Sequence, residues 1–374
     1  MSITEGIRIV SADDHVQEPA DLWETRLPKG LRDRAPKVVR LPDGGDAWSI
    51  TGYPPRPFGI LIAAGTGRDA NPTGLTWDDC PRGAWDPDAR LKDMDLDGIY
   101  ASVLYPNVCL DFFMCQVELP PELFGPVCRA YNDFLSEFCT TDLGRLAGVG
   151  LVPLHDIGEA KAEMEHIARL PGMKGVLFPV KPPVNDWNDP AYEPIWAAAA
   201  DLGLIIHIHT GKPRGLPNRL EMQEQSYGMQ IYYQLGRVSM IETFGYIFWS
   251  GVLERHPQLR FVCVEGDIGW LPYFKERGAA LMKKHKRWTG KQLEYPPGHW
   301  FGTNFFATFE EDRLGVELRH HTGIDTLLWA SDYPHSQTTW PESAKAIEET
   351  FAGVPRDEVR KIVSESAGRL YGFL

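Results

Sequence analysis

The chain has 374 residues, of which 43% are hydrophobic, so it can bury a large core. Its formal net charge of −13 and pI near 5.3 argue against nucleic acid or an anionic membrane as a partner, because both require a basic surface. The segment MSITEGIRIV has no basic stretch followed by an apolar one, and no apolar run approaches the length of a membrane span. We therefore expect neither a signal peptide nor a transmembrane helix.

The cysteines indicate a reducing environment. None of the six forms a C-x-x-C pair, and six in a chain of this length do not suggest a disulfide framework. We expect free thiols in the cytoplasm, at Cys80, Cys109, Cys115, Cys128, Cys139 and Cys263.

Eight short apolar runs predict buried parallel strands, because helical patterns separate them. The predicted strands are Ile7–Asp14, Tyr100–Pro106, Leu146–Leu154, Gly175–Val180, Leu204–Thr210, Arg260–Glu265, Phe305–Phe309 and Thr326–Ser331. Eight strand–helix alternations are typical of a closed (β/α)8 barrel, here a single domain over residues 1–374. An open doubly wound sheet is the alternative, but no G-x-G-x-x-G motif follows the first strand.

The segment between the first two predicted strands, residues 16–99, interrupts the regular alternation. It is rich in Pro, Gly, Trp and Asp, and a loop of this length is usually functional. Because it follows the first strand, it would fold over the barrel mouth, where loops determine specificity. We interpret it as a lid that shapes the substrate pocket and contributes to a subunit contact. An insertion without function is the alternative.

Three of the predicted strands turn polar only at their ends, which carry His15, His209 and Asp332. The carboxyl ends of parallel strands meet at one mouth of a barrel. Imidazole and carboxylate groups that converge there can hold a metal and leave one position open. Asp13 lies two residues before His15, so both side chains share a face of the strand and could bind the same metal. A surface turn at Asp14–His15 is the alternative.

Other polar residues near the predicted mouth are candidates for acid–base chemistry. Asp332 could exchange a proton as well as bind metal, or it could cap the segment that follows. Glu265 could be a general base, a partner of His209 or a ligand of a second metal. His335 could be a second acid/base or contact the substrate, with simple packing as the alternative. The supporting or substrate-binding candidates are Glu18, His155, Lys181 and His207.

Nearly the whole chain resembles the amidohydrolase superfamily, in the branch called amidohydrolase family 2. That branch contains amino-carboxymuconate-semialdehyde decarboxylase and the resorcylate-type decarboxylases. The segments that carry the resemblance are ADDHVQEPADLW, RLKDMDLDGIYASVLYPN, LGRLAGVGLVPLHD, GMKGVLFPV, IIHIHTG, SGVLERHPQLRFVCVEGDIGWLPYF, LLWASDYPHSQTTWP and ESAGRLYGFL.

The resemblance implies a (β/α)8 barrel with one divalent metal, zinc foremost, with manganese or iron as alternatives. The first-strand motif is H-x-H in many members and E-x-H in the resorcylate-type decarboxylases. Asp13 and His15 match it here, so the first ligand is a carboxylate. The family's fifth-strand histidine falls on His209 and its eighth-strand aspartate on Asp332. Several members have a catalytic histidine on the sixth strand, where this chain has Glu265.

These features predict a cytoplasmic metal-dependent hydrolase or decarboxylase that acts on a small organic acid, aromatic or unsaturated. The resemblance implies a homo-oligomer, with a hetero-oligomer as the alternative. Two other functions stay open. Carboxylate ligands suit manganese and iron, so the chain could be an iron- or manganese-dependent oxygenase component with a two-metal site. Without the sixth-strand histidine, it could also be a non-catalytic metal-binding partner subunit.

Overall fold

The structure is a computed structural model and describes residues 2–50, 53–66, 71, 73–110, 119–217, 219–285 and 293–374. The elements as far as the fourth barrel strand and its helix are β1 (Ile9–Val16), α1 (Leu22–Arg26), β2 (Lys37–Arg40), β3 (Asp46–Ser49), β4 (Arg56–Pro57), α2 (Pro87–Asp97), β5 (Ile99–Pro106), α3 (Pro121–Cys139), β6 (Leu146–Leu151), α4 (Ile157–Ile167), β7 (Met173–Phe178) and α5 (Glu193–Leu202).

The second half of the chain continues the same alternation. Its elements are β8 (Ile205–His209), α6 (Arg219–Gln223), α7 (Gly228–Trp249), α8 (Val252–Arg255), β9 (Phe261–Val264), α9 (Leu271–His285), β10 (Phe305–Phe309), α10 (Arg313–Glu317), α11 (Arg319–Thr322), β11 (Leu327–Trp329), α12 (Ser343–Thr350), α13 (Arg356–Arg360) and α14 (Ser366–Tyr371). No helix in the described part of the chain combines the length and apolarity needed to cross a bilayer.

Eight strands form one parallel sheet in the order β1-β5-β6-β7-β8-β9-β10-β11, and each overlaps a predicted strand. Backbone hydrogen bonds join the two ends of this sheet. The Asp332 N–H donates to the Asp13 carbonyl over 2.9 Å, and the His15 N–H donates to the Tyr333 carbonyl over 2.6 Å. The (β/α)8 barrel prediction is confirmed, and the barrel closes at residues that were predicted to bind metal.

The first strand differs from its predicted extent, which ended at Asp14. β1 continues to Val16 because His15 and Val16 stay in register with Tyr105 and Pro106 of β5. His15 therefore lies in the paired part of the strand that follows the register irregularity between Ser11 and Asp14.

The segment between β1 and β5 contains more regular structure than expected. Val16 belongs to β1, and α2 at the other end is the crossover helix into β5, so the irregular part is shorter than residues 16–99. It includes an antiparallel sheet of β2, β3 and β4, which was not predicted. Arg90 of α2 is buried and donates hydrogen bonds to the carbonyls of Gly83, over 2.7 Å, and His15. These bonds fasten α2 to the strand that carries the first candidate ligands.

The core contains buried tryptophan and cysteine side chains. The tryptophans Trp23 and Trp187 are fully buried and serve packing. Five cysteines are buried free thiols, as expected, and these are Cys80, Cys109, Cys128, Cys139 and Cys263. Cys115 lies outside the described residues.

Candidate metal centre

Asp13, His15, His209 and Asp332 converge at the mouth of the barrel. The first two come from β1, His209 is the last residue of β8, and Asp332 follows β11. Each is at most 3% exposed. Asp332 has a φ of +60°, a left-handed conformation that aspartate tolerates better than most residues.

Four side-chain atoms of these residues face one another. His15 Nε2 lies 3.6 Å from Asp13 Oδ1 and 3.2 Å from Asp332 Oδ1, and His209 Nε2 lies 3.6 Å from Asp13 Oδ1. All four atoms are buried, and none has a hydrogen-bond partner in the described part of the structure. A buried polar atom without a partner costs about 1–3 kcal/mol. Four such atoms facing one point are therefore explained best by a ligand that binds all of them.

The hydrogen bonds of the two histidines leave the correct nitrogens free for a metal. His15 Nδ1 lies 2.8 Å from the Pro106 carbonyl, and His209 Nδ1 lies 2.8 Å from the Thr210 carbonyl. A carbonyl only accepts hydrogen bonds, so each Nδ1 carries the hydrogen and each Nε2 presents a lone pair. Metal-binding histidines are usually oriented by bonds of this kind.

The shortest separations among these atoms are those expected for ligands that share a cation. Two tetrahedral ligand atoms, each about 2.1 Å from one metal ion, lie about 3.4 Å apart. Three of the separations, from 3.2 to 3.6 Å, bracket that value. The described residues form two overlapping ligand clusters, one of Asp13, His15 and His209 and one of His15, Asp332 and His335. Two imidazole nitrogens and two carboxylate oxygens suit a divalent metal such as zinc or manganese. The group of Asp13, His15 and His209 thus fits one divalent cation, and Asp332 adjoins this group through His15.

The charges of the site also favour a cation. Burial lowers the pKa of His209, but the Asp13 and Glu265 carboxylates outweigh it and raise the pKa to about 9. Burial raises the pKa of Asp332, but His335 and His15 outweigh it and hold the pKa below its usual range. Asp332 is therefore ionised at neutral pH, and the field at His209 favours positive charge.

A cavity leads from the surface to these ligands. Its empty volume is about 710 Å³ with the open mouth included. The lining is predominantly apolar and includes Leu61, Leu110, Tyr232 and Tyr233. The segment between β1 and β5 thus reaches the cavity through Leu61, and its role as a lid stays a prediction.

His335 lies between the cavity and Asp332. Its Nδ1 donates to Asp332 Oδ2 over 3.1 Å and lies 2.9 Å from Asp332 Oδ1, so it faces both oxygens of that carboxylate. Its ring stacks on that of His15, with centroids 4.0 Å apart. Burial lowers the pKa of His335, but the Asp332 carboxylate outweighs it and raises the pKa above its usual value. The structure therefore brings His335 to the place where a proton could pass between Asp332 and a substrate.

Glu265 stands beside the cluster and is held by other side chains. Its Oε1 accepts hydrogen bonds from Arg237 Nη2 over 3.1 Å and Gln337 Nε2 over 2.8 Å, while Oε2 lies 3.7 Å from His209 Nδ1. Neither ligand cluster found among the described residues includes Glu265. Of its three candidate roles, this arrangement agrees best with that of a partner of His209. Glu265 also binds the side chains of Arg237 and Gln337.

Glu18 and His207 are both buried, but they face other groups. Glu18 accepts hydrogen bonds from the backbone N–H groups of Val108, over 2.9 Å, and Cys109, over 3.0 Å, and so fixes the start of the loop after β5. Burial raises the pKa of Glu18 to about 6. His207 lies deeper in the barrel, with its Nε2 3.0 Å from the Tyr371 hydroxyl, and burial lowers its pKa to about 3.

His155 and Lys181 follow β6 and β7 without joining the site. His155 Nε2 lies 3.4 Å from Glu159 Oε2, and its ring packs edge-on against Phe124. Lys181 is exposed. Neither residue is among those that line the cavity in the described structure.

The Amidohydro_2 family model, described as Amidohydrolase, matches residues 53–373. The chain belongs to this family. The match begins after β1, so Asp13 and His15 are assigned by the geometry above and not by the family model. Members of the family are metal-dependent, and the ligand clusters agree with that property.

A curated relative supports a more specific comparison. The decarboxylase orsB of Emericella nidulans is 24% identical to this family member over 223 residues, which are 55% of this chain and 64% of that protein. The chain spans between 50% and 64% of the length of the curated relatives that it matches.

Solved structures confirm the fold. An amidohydrolase from Mycobacterium avium subsp. paratuberculosis K-10 superposes with a TM-score of 0.77 and 20% identity, covering 98% of each chain. A dihydroxybenzoic acid decarboxylase from Polaromonas sp. JS666, solved with bound manganese and 2-nitroresorcinol, gives a TM-score of 0.62 and 18% identity over 97% of this chain and 96% of that one. At such identities the likeness shows the (β/α)8 fold alone.

Several residues at the mouth of this family member were not predicted. Asn107 and Glu310 are the first residues after β5 and β10, so the rule that selected His209 and Asp332, polar residues at strand ends, would have found both. Burial raises the pKa of Glu310 well above its usual value, and the negative charges of Asp332 and Glu265 add to this. Arg237 lies in α7, far in sequence from any strand end, and gave no such signal.

Proposed function

We propose that this family member is a metal-dependent decarboxylase of small aromatic carboxylic acids. The observation that carries the proposal is the set of four buried ligand atoms without hydrogen-bond partners among the described residues, which lie beside a tyrosine-lined cavity. The carboxylate of Asp13 in the first-strand position resembles the resorcylate-type variant, and a decarboxylase is among the relatives. A flat, apolar substrate with one acidic group would suit the mainly apolar lining of this cavity.

In this proposal the substrate loses its carboxyl group as CO2, and the ring carbon that carried this group takes up a proton. The bond between the ring carbon and the carboxyl carbon breaks, one proton is consumed and no water is added. A divalent cation held by Asp13, His15, His209 and Asp332 would supply Lewis-acid polarisation of a substrate oxygen. Asp332 and His335 hold the proton, because they are hydrogen-bonded to each other and His335 lines the cavity.

Arg237 is the residue that we assign to binding the acidic group. It lines the cavity, and its guanidinium is fixed by Glu265 over 3.1 Å and by Asp267, with Nε 3.3 Å from Oδ2. A fixed guanidinium binds a carboxylate or phenolate with little loss of side-chain entropy. Glu265, in the place of the family's sixth-strand histidine, thereby serves substrate binding through Arg237.

The test is to incubate the protein, loaded with Mn²⁺ or with Zn²⁺, with ortho-hydroxylated benzoic acids and with an unsaturated aliphatic diacid. We expect CO2 in a one-to-one ratio with the acid consumed and, in D2O, one deuterium at the carbon that lost the carboxyl group. Chelated protein is the control. Turnover of esters or amides without CO2 would assign the site to hydrolysis, and consumption of O2 would assign it to the oxygenase alternative.

Replacing Arg237 by methionine is expected to raise KM for the aromatic acid about 10- to 100-fold, with a smaller effect on kcat. This corresponds to the loss of one charge-assisted hydrogen bond, worth about 1.5–3 kcal/mol. Steady-state kinetics on the metal-loaded variant measure the effect. Lys181→Met is the matched control, since Lys181 is an exposed cation after β7 and is not among the described residues that line the cavity. An unchanged KM in Arg237→Met would remove Arg237 from the binding site.

A further inference from the structure

Asn107 connects three parts of the barrel mouth through one buried amide. It directly follows β5 and is 1% exposed. Its Nδ2 lies 2.9 Å from the Leu61 carbonyl and 2.9 Å from Gln17 Oε1. Its Oδ1 lies 3.0 Å from His335 Nε2. Gln17 and Leu61 belong to the segment between β1 and β5, whereas His335 follows β11.

The contacts of Asn107 determine which way its amide faces. The Leu61 carbonyl can only accept a hydrogen bond, so the nitrogen of the Asn107 amide must face it. The amide oxygen therefore faces His335, and the bond at that end requires a hydrogen on His335 Nε2. With Nδ1 facing Asp332 at the other side of the ring, both nitrogens of His335 have a defined partner.

This arrangement matters for the chemistry because His335 and Leu61 both line the cavity. A histidine held at only one nitrogen can rotate about its χ angles, whereas a ring held at both nitrogens keeps one orientation. The stacking on His15, with centroids 4.0 Å apart, restricts the ring further. The orientation of His335 in turn determines whether its Nδ1 can donate a hydrogen bond to the Asp332 carboxylate. That carboxylate is itself a candidate metal ligand.

We propose that Asn107 is a positioning residue. It keeps the His335 ring oriented toward Asp332, and it links this pair to the segment between β1 and β5 that carries Leu61. The inference rests on the proposed function, in which His335 and Asp332 hold the proton. The segment between β1 and β5 would then be coupled to proton transfer through Asn107, and would not merely cover the cavity. A substrate that displaces Leu61 would act on the orientation of His335 through the same amide.

The first test is kinetic. Asn107→Ala is expected to lower kcat about 100-fold while KM stays within about threefold and metal content is unchanged, which is the upper range for residues that orient an active-site group. Asn107→Asp keeps an acceptor for His335 and is expected to recover at least about tenfold of that loss. Gln17→Ala removes one of the two bonds at Nδ2 and leaves the bond to His335, so it should cost only a few-fold.

A double variant separates positioning from general stability. If Asn107 acts through His335, then Asn107→Ala should add little to the loss caused by His335→Gln, because interacting residues are not additive. If the activity losses of the two single variants multiply in the double variant, the proposal is overturned. The same holds if Asn107→Ala and Asn107→Asp are equally active, and Asn107 is then only a structural contact.

The second test does not depend on activity. In protein labelled with 15N-histidine, the ring signals of His335, assigned by comparison with His335→Gln, should show a slowly exchanging hydrogen on Nε2. Asn107→Ala should abolish that protection, whereas Gln17→Ala should retain it. If the protection is identical in Asn107→Ala, the inference fails even when decarboxylation is confirmed. If it is lost while no acid is decarboxylated, the positioning stands and the proposed reaction fails.

Discussion

Replacing His209 by alanine is expected to remove the metal from the purified protein and to lower decarboxylase activity at least about 1,000-fold. His209 Nε2 is one of four buried atoms without a hydrogen-bond partner among the described residues, and it is the ligand that β8 contributes to the cluster of Asp13, His15 and His209. Loss of a residue that only supports a ligand costs about 10- to 100-fold in metal affinity, so loss of a ligand itself should cost more. Elemental analysis after dialysis and kinetics at saturating metal measure the two effects.

The same strand provides a matched control for this variant. His207 lies two residues earlier on β8, is equally buried and bonds to Tyr371 at 3.0 Å. His207→Gln should therefore retain one equivalent of metal even if it lowers the stability of the barrel. Full metal occupancy in His209→Ala, with parental affinity, would contradict the assignment of the site. Loss of metal in both variants would indicate general unfolding, which circular dichroism distinguishes from loss of the ligand.

Asp332→Asn is the second substitution with a large expected effect, and it separates two roles of one residue. Asparagine keeps the volume and can keep a contact with the metal, but it cannot hold the proton or pair with the His335 cation. We expect kcat to fall about 100- to 10,000-fold, the range for removal of a general acid or base, while metal content falls less than in His209→Ala. Kinetics at saturating Mn²⁺ and metal analysis of the same samples measure the difference.

The control for this variant is another buried aspartate close to the site. Asp14 points away from the cluster, its carboxylate accepts hydrogen bonds from Ser11 over 2.9 Å and from Ser102, and burial raises its pKa to about 7. Asp14→Asn should therefore keep the metal and activity within about tenfold of the parent protein, since it leaves the acid–base pair in place. If Asp332→Asn were as active as Asp14→Asn, the proton would have to come from a different residue, and Glu310 would be the next to replace.

Side-chain alternation explains why the four candidate ligands could be predicted from the sequence. The spacing of Asp13 and His15 requires a shared face on any strand, and the barrel brings strand ends together whatever the loops do. The predicted end of β1 was two residues short because the pairing that extends it depends on β5, far away in the chain.

Features that depend on long-range packing could not be predicted in the same way. Arg237 reaches the cavity from the middle of α7, and nothing near it in the sequence distinguishes it from a surface arginine. The β2–β3 hairpin, in contrast, had a local signal in Asp43-Gly44, a common pair in tight turns, which lies between two short β-branched or aromatic stretches. The role of Asn107 depends on three partners from separate parts of the chain, so only the structure reveals it.

The closure of the barrel has a consequence for how the protein acquires its metal during synthesis. The strand with Asp13 and His15 is synthesised well before Asp332, yet the backbones of Asp13 and Asp332 are hydrogen-bonded to each other in the finished barrel. A nascent chain that has not reached β11 lacks one ligand and has an open sheet edge where the seam will form. We therefore expect the full set of candidate ligands to form only after β1 and the segment that follows β11 have paired, and a cation bound there would link the two sides of that seam.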